Sequence, residues 1–185
     1  MTEQERDELM QIIRDLSYEE REVTLASGRK SNFYFDGKQT TLHARGGLLV
    51  GKAFWKEVQA FGEDIDGVGG LTMGADPIAT ATSIAAALDG EDAHAFIIRK
   101  EPKGHGTGQW LEGRKNLPAG SRVVIVEDVT TTGGSSMKAV ERAEEEGLNV
   151  LGIVTLVDRE EGARENIENA GQSLRAVFTR AQVVG

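Results

Sequence analysis

The feature that most constrains the fold is a run of four β-branched residues, Val123, Val124, Ile125 and Val126, entered from Arg122 and ending in an acid pair, Glu127 and Asp128. A strand without polar alternation has no face to give to water, so it belongs inside a parallel sheet with helices on both sides. Residues 149–157 (NVLGIVTLV) read as a second strand of this kind. Shorter strands are predicted at residues 31–36, 67–71, 95–98 and 175–178. Amphipathic or Ala-rich stretches predict helices over residues 3–16, 45–61, 76–88 and about 135–146, and a short one closing at 167–170. Alternation of this type defines an α/β domain, whose ligands sit beyond the carboxyl ends of the strands. Residues 101–114 carry Gly104, Gly106 and Gly108 without a hydrophobic period and are predicted to form a long functional loop.

A length of 185 residues fits one domain. The absence of cysteine excludes disulfides, thiolate catalysis and Cys-ligated metal centres. A net charge of −9 argues against a general nucleic-acid binder, whose affinity comes from cations facing phosphates. No apolar run approaches the roughly 20 residues a membrane helix needs. The opening MTEQERDELM is acidic and lacks the apolar centre of a signal peptide, so a cytoplasmic location is expected. Arg outnumbers Lys, 13 to 8, in an acidic chain. That balance fits either a salt-rich cytoplasm or an ordinary acidic protein.

Chemistry concentrates in residues 123–136, VVIVEDVTTTGGSS. A buried strand delivers two carboxylates to its carboxyl edge, and a turn of Thr and Gly then opens a helix. Helix N-termini present free N–H groups and a positive dipole end, so they receive phosphate. Gly133 and Gly134 let the backbone come close to an anion, and Thr130, Thr131, Thr132 and Ser135 add hydroxyls. No Gly-Lys-Ser/Thr follows, which excludes a Walker loop, and the Gly-x-Gly-x-x-Gly spacing of a dinucleotide site is missing. Carboxylates beside a phosphate cradle suit a ligand with a phosphate and vicinal hydroxyls, such as a ribose 5-phosphate group. The bland alternative is a strand end followed by an ordinary capped loop. Arg99, Lys100, Lys103 and His105 place four further donors in the Gly-rich loop. Such charge suits a diphosphate leaving group in a site that closes against water.

With these residues the chain resembles the type I phosphoribosyltransferases, and within them the orotate phosphoribosyltransferases. Four segments carry the resemblance in the family's order: GRKSNFYFD (28–36), GADPIA (74–79), RKEPKGHGT (99–107) and VEDVTTTGGSS (126–136). The resemblance implies one domain over residues 1–185. Its fold would have a central, mainly parallel sheet flanked by helices, with about residues 1–40 forming a small N-terminal hood. It implies transfer of ribose 5-phosphate from phosphoribosyl diphosphate to orotate, giving orotidine 5′-monophosphate and diphosphate. Magnesium would be held mainly by substrate oxygens, with no protein side-chain ligand. A homodimer with shared active sites is implied, with no nucleic-acid or membrane partner.

Carried over to this sequence, Val129, Thr130, Thr131, Thr132, Gly133, Gly134 and Ser135 would cradle the 5-phosphate. Glu127 and Asp128 would hold the ribose hydroxyls, and Arg99, Lys100, Lys103 and His105 would meet the diphosphate. The catalytic part would fall to Lys100, Lys103, His105 and Asp128. For orotate, Arg159 would grip the carboxylate bidentately, Thr131 would add a hydrogen bond, and Tyr34 and Phe35 would lie beside the base. Two positions that are cationic in many members are not so here, one at Ala26 and one in the Met73–Gly74 pair, and Lys30 lies near the first. A purine phosphoribosyltransferase of the same fold, or a phosphoribosyl diphosphate sensor without catalysis, are the competing readings. The first leaves Arg159 without a purpose, and the second lacks a basic nucleic-acid-binding segment.

Overall fold

The computed structural model describes residues 1–24, 30–62, 64–102 and 109–185. Within them the chain runs α1 (Glu3–Leu16), β1 (Tyr18–Thr24), β2 (Lys30–Phe35), α2 (Lys38–Thr41), α3 (Ala44–Gln59), β3 (Gly67–Leu71), α4 (Ala75–Leu88) and β4 (His94–Ile98). It continues through β5 (Leu111–Glu112), a 3-10 turn (Arg114–Asn116), β6 (Arg122–Thr130), α5 (Gly134–Glu145), β7 (Asn149–Asp158), α6 (Ala163–Asn169), β8 (Leu174–Thr179) and α7 (Arg180–Val184). β1 and β2 form an antiparallel pair, and the other six strands form one sheet in the order β5-β4-β3-β6-β7-β8. All its pairings are parallel except that of the two-residue β5 with β4.

The central strand explains why the sheet is covered on both sides. Successive side chains of a strand point to opposite faces. Val124 and Val126 join the core formed with α1, α3 and α4, where Leu9, Ile13, Phe54 and Ile78 are fully buried. Val123 and Ile125 join the second core, under α5 and α6, with Ala139, Val140, Ala143 and Ile167. α1 starts at a capping box in which the Thr2 hydroxyl accepts from Glu5 N–H at 3.2 Å and Glu5 returns the bond to Thr2 N–H at 2.9 Å.

The sequence reading needs three corrections. β6 does not stop at Val126: its ladder with β7 runs on to Thr130, opposite Asp158, so the acid pair belongs to the strand. Residues 101–114 are not all loop, because Leu111 and Glu112 pair with Ile98 and Ile97. Elements α2, β1 and α7 lack the apolar period that reveals longer elements, and β1 (YEEREVT) owes its form to pairing with β2.

Candidate active site

The order of the sheet reverses between β3 and β6, the switch point at which open α/β sheets bind ligands. The β3–β6 ladder ends at Gly69 opposite Ile125, whereas β6 stays paired with β7 for five residues more. Glu127 and Asp128 therefore lie where β3 has parted from β6. They line a cleft of about 210 Å³ together with Lys38, Thr72, Gly74, Lys100 and Ser135.

Strand alternation roots the two side chains on opposite faces, yet both carboxylates line the one cleft and interact with each other. Glu127, following Val123 and Ile125, is rooted on the α5 side of the strand, where Ser136 is buried. Asp128 lies on the side of α2 and α4: it accepts from Val129 N–H at 2.9 Å, and Lys38 Nζ stands 4.0 Å from it. Lys38 Nζ is also 2.7 Å from Asp36, whose carboxylate raises the Lys38 pKa. Burial, then the neighbouring Asp128 charge, push Glu127 up to about 8. Burial raises Asp128 as well, against the opposing pull of Lys38. We take Asp128 as the charged member of the pair, because the cation and the N–H donor are on its side.

Backbone packing fixes the Asp128 side chain. A Cβ added at Gly74 would lie 2.7 Å from Asp128 Oδ1, and one at Gly37 2.8 Å from Asp128 Cβ. After β6 the chain turns through Thr131 and Thr132 to Gly133 at φ 82°, where a side chain would strain the backbone and meet Ile167 at 2.9 Å. α5 then begins with no side-chain cap, which leaves its first N–H groups facing outward for an anion. Asn166 donates to Thr132 C=O at 3.0 Å and ties the turn to α6.

Of the residues expected to meet a diphosphate, Lys100 lines the cleft. Arg99 is turned to β5, with its guanidinium 3.1 Å from Glu112 and bonded to Glu101 C=O. Lys103 and His105 lie outside the described residues, as does Ala26. Lys30 is engaged by Glu22 at 2.8 Å on the hairpin. The expected base residues divide. Arg159 follows β7, is buried, and its backbone N–H donates to Thr130 C=O at 3.0 Å, which brings it beside Thr131. Its Nη2 lies 2.9 Å from Glu161 and 3.3 Å from Phe33 C=O. Tyr34 points to the other side of the hairpin strand, where the Arg21 guanidinium covers its ring at 3.8 Å. Phe35 stacks on Phe33 at 5.9 Å. The sequence does not single out Phe33, Lys38 or Arg180, and offers Glu161 only as an ion-pair partner for Arg159. Only Lys38 had a local signal, since it follows an aromatic strand and a Gly.

A crevice at the switch point, adjacent carboxylates on the central strand and an uncapped helix start with a Gly turn define the class: the chain belongs to the phosphoribosyl transferase domain family, which it matches over residues 38–179. Within that class it belongs to the orotate phosphoribosyltransferase family. It is 44% identical over 174 residues to the orotate phosphoribosyltransferase of Nostoc sp., covering 94% of this chain and 82% of that one. It is 43% identical over 183 residues to the Aquifex aeolicus protein of the same name, covering 97% and 98%. The Mycobacterium tuberculosis enzyme, solved in complex with 5-phospho-α-D-ribosyl 1-diphosphate, superposes with a TM-score of 0.80 at 39% identity, over 98% of this chain and 99% of that one.

Proposed function

We propose that the chain transfers ribose 5-phosphate from phosphoribosyl diphosphate to N1 of orotate, yielding orotidine 5′-monophosphate and diphosphate. It is a pentosyltransferase of de novo pyrimidine synthesis. The observation that carries this reading is the pairing of Asp128 and Glu127 with the uncapped start of α5 across one crevice. The alternatives of a purine acceptor or a sensor find no support in the relatives, which bear the orotate name.

In this reading Val129–Ser135 holds the 5-phosphate by backbone N–H groups and hydroxyls. Asp128, kept ionised by Lys38 and Val129 N–H, faces the ribose as positive charge develops at its anomeric carbon; this stabilises the transition state electrostatically. Glu127 accepts or donates hydrogen bonds to the ribose hydroxyls. Lys100 meets the departing diphosphate, joined by Lys103 and His105, while Arg99 is held by Glu112. Arg159 receives the orotate carboxylate, with Thr131 and Phe35 near the base.

Magnesium suits this cleft as an ion carried by the substrate. It is a hard cation that takes oxygen ligands and keeps several waters. The described residues include no cluster of three or more His, Cys, Asp or Glu able to hold a metal. Diphosphate and ribose oxygens would hold it, with Glu127 and Asp128 beside them. When bound, it would offset the charge of the leaving group.

The whole chain acts as one domain, with residues 1–40 as its hood, in the cytoplasm. It works as a homodimer that shares its active sites. The exposed Leu42, Leu48, Ile84 and Leu88 beside an apolar groove of about 920 Å³ between α3 and α4 support that assembly. The test is the loss of orotate absorbance on mixing protein, orotate, phosphoribosyl diphosphate and magnesium, at low and at molar salt. Loss that needs all the components establishes the transfer. Absence of loss at both salts, with phosphoribosyl diphosphate still bound, refutes it.

A further inference from the structure

Two guanidinium groups gather at one aromatic ring, with a carboxylate in contact with both. Arg159 and Glu161 lie after β7, and Arg180 opens α7. Glu161 Oε1 is 2.9 Å from Arg159 Nη2 and 3.8 Å from Arg180 Nη1. The two guanidinium groups stand 5.3 Å and 5.2 Å from the centroid of the Phe33 ring, which is itself buried.

We infer that Glu161 is the positioning residue of the base pocket and that Arg180 completes it by adding positive charge for the carboxylate of a planar anionic base. The inference rests on the reading of Arg159 as the partner of the orotate carboxylate. Arg159 and Glu161 alone cancel, and a neutral pair offers a second carboxylate little. Among the described residues, Arg180 adds a second guanidinium to the one that Glu161 offsets. Neighbouring carboxylates have donors of their own: Asp158 accepts from Glu160 N–H at 2.9 Å and faces Arg164 at 3.9 Å, and Glu160 accepts from Ala181 N–H at 2.9 Å.

Glu161 also supplies alignment. Its side chain is 12% exposed and that of Arg159 10%, so their contact is made where solvent screening is weak. Phe33 C=O accepts from the same Nη2 at 3.3 Å, so two acceptors hold the guanidinium beside the ring. A planar guanidinium binds a carboxylate with two parallel hydrogen bonds only when its plane is set beforehand. The Arg180 side chain is 37% exposed and stands toward solvent, where it contributes charge more than geometry. The last helix of the chain is in this way part of the recognition of the base.

Two effects of Glu161 oppose each other, so the sign of a substitution decides between them. If Glu161 aligns Arg159, E161Q loosens orotate. If Glu161 only competes for Arg159, E161Q tightens it. The experiment is steady-state kinetics of E161Q, R180Q, R180K and R159Q with each substrate varied, alongside thermal melts. E161Q is expected to raise the KM for orotate about tenfold, the scale of a lost ion-pair contact in a weakly screened site. The kcat and the KM for phosphoribosyl diphosphate should stay within about twofold. R180Q should raise the orotate KM, and R180K should restore most of it. A lower orotate KM in E161Q overturns the inference. So does a parallel loss in kcat and both KM values with a fallen melting temperature. If E161Q does not fold, R180Q on the exposed rim decides alone. An unchanged orotate KM in R159Q would sink the base-pocket reading itself, whereas a response in R159Q with silence in E161Q and R180Q sinks only this inference.

Discussion

Replacement of Gly74 by Ala separates the stability of the fold from the placement of Asp128. Gly74 has φ −60° and ψ −40°, ordinary helical values, so the backbone accepts a side chain. Reduced freedom of the unfolded chain then favours Ala by about 0.4–1 kcal/mol. The new Cβ, however, would lie 2.7 Å from Asp128 Oδ1 and 3.0 Å from its Cγ. Relaxed contacts between such atoms are about 3.5 Å, so the carboxylate must turn away by roughly 0.5–1 Å. In turning, it gives up the bond from Val129 N–H, worth about 1 kcal/mol net. The two stability effects nearly cancel, and the melting temperature should move by less than about 4 °C. The site does not cancel in this way. A misplacement of about 1 Å costs up to 100-fold in rate, or about 2.7 kcal/mol of transition-state stabilisation. Thermal melts and kcat/KM from orotate consumption measure both quantities. An active variant within threefold of the parent, with its melting temperature intact, would show that the Asp128 carboxylate position does not govern the reaction. A fall of more than about 10 °C would show that the clash is taken up by the backbone instead.

Three further outcomes follow from the same site. Glu127 is raised from its ordinary value of 4.5 to about 8, so its contribution to stability is full below about pH 4.5 and is lost as pH rises through about 8. Glu127→Gln should therefore melt above the parent near pH 9 and approach it near pH 5, and equal melting curves at all pH values would refute the assignment. Burial raises Asp128 while Lys38 holds it down, so Lys38→Met should move the acid limb of the pH–rate profile to higher pH; an unmoved limb would remove Lys38 from the site. Gly133→Ala places a side chain at φ 82° against Ile167 and should cost about 2 kcal/mol, read as a drop of roughly 5 °C in melting temperature. The same change should weaken binding of phosphoribosyl diphosphate by calorimetry, and unchanged binding would argue against the turn as the phosphate cradle.

Much of this protein is legible in its sequence because the signals are local. Val123–Val126 reads as a doubly covered strand because all four residues are β-branched, and an acid pair followed by Thr, Gly and a helix start needs no distant residue to be read. The alternation of these elements fixes a parallel α/β sheet, and the Gly-rich loop with its cations points to a charged leaving group. What the sequence leaves open depends on which distant segments meet. The strand continues through Glu127 and Asp128 because β7 pairs with it as far as Asp158, residues removed in the chain. Both carboxylates then meet in one cleft, and the approach of Gly37 and Gly74 leaves Asp128 as the member beside Lys38. Arg99 has the same local setting as Lys100, yet Glu112 of β5 draws it aside. Arg159 was visible as a single cation, but its neighbours Phe33, Glu161 and Arg180 come from the hairpin, the turn after β7 and the last helix. Hydrophobic period and turn chemistry act over a few residues and so can be read in order along the chain, whereas the charge state and orientation of a side chain are set by whatever the fold packs against it.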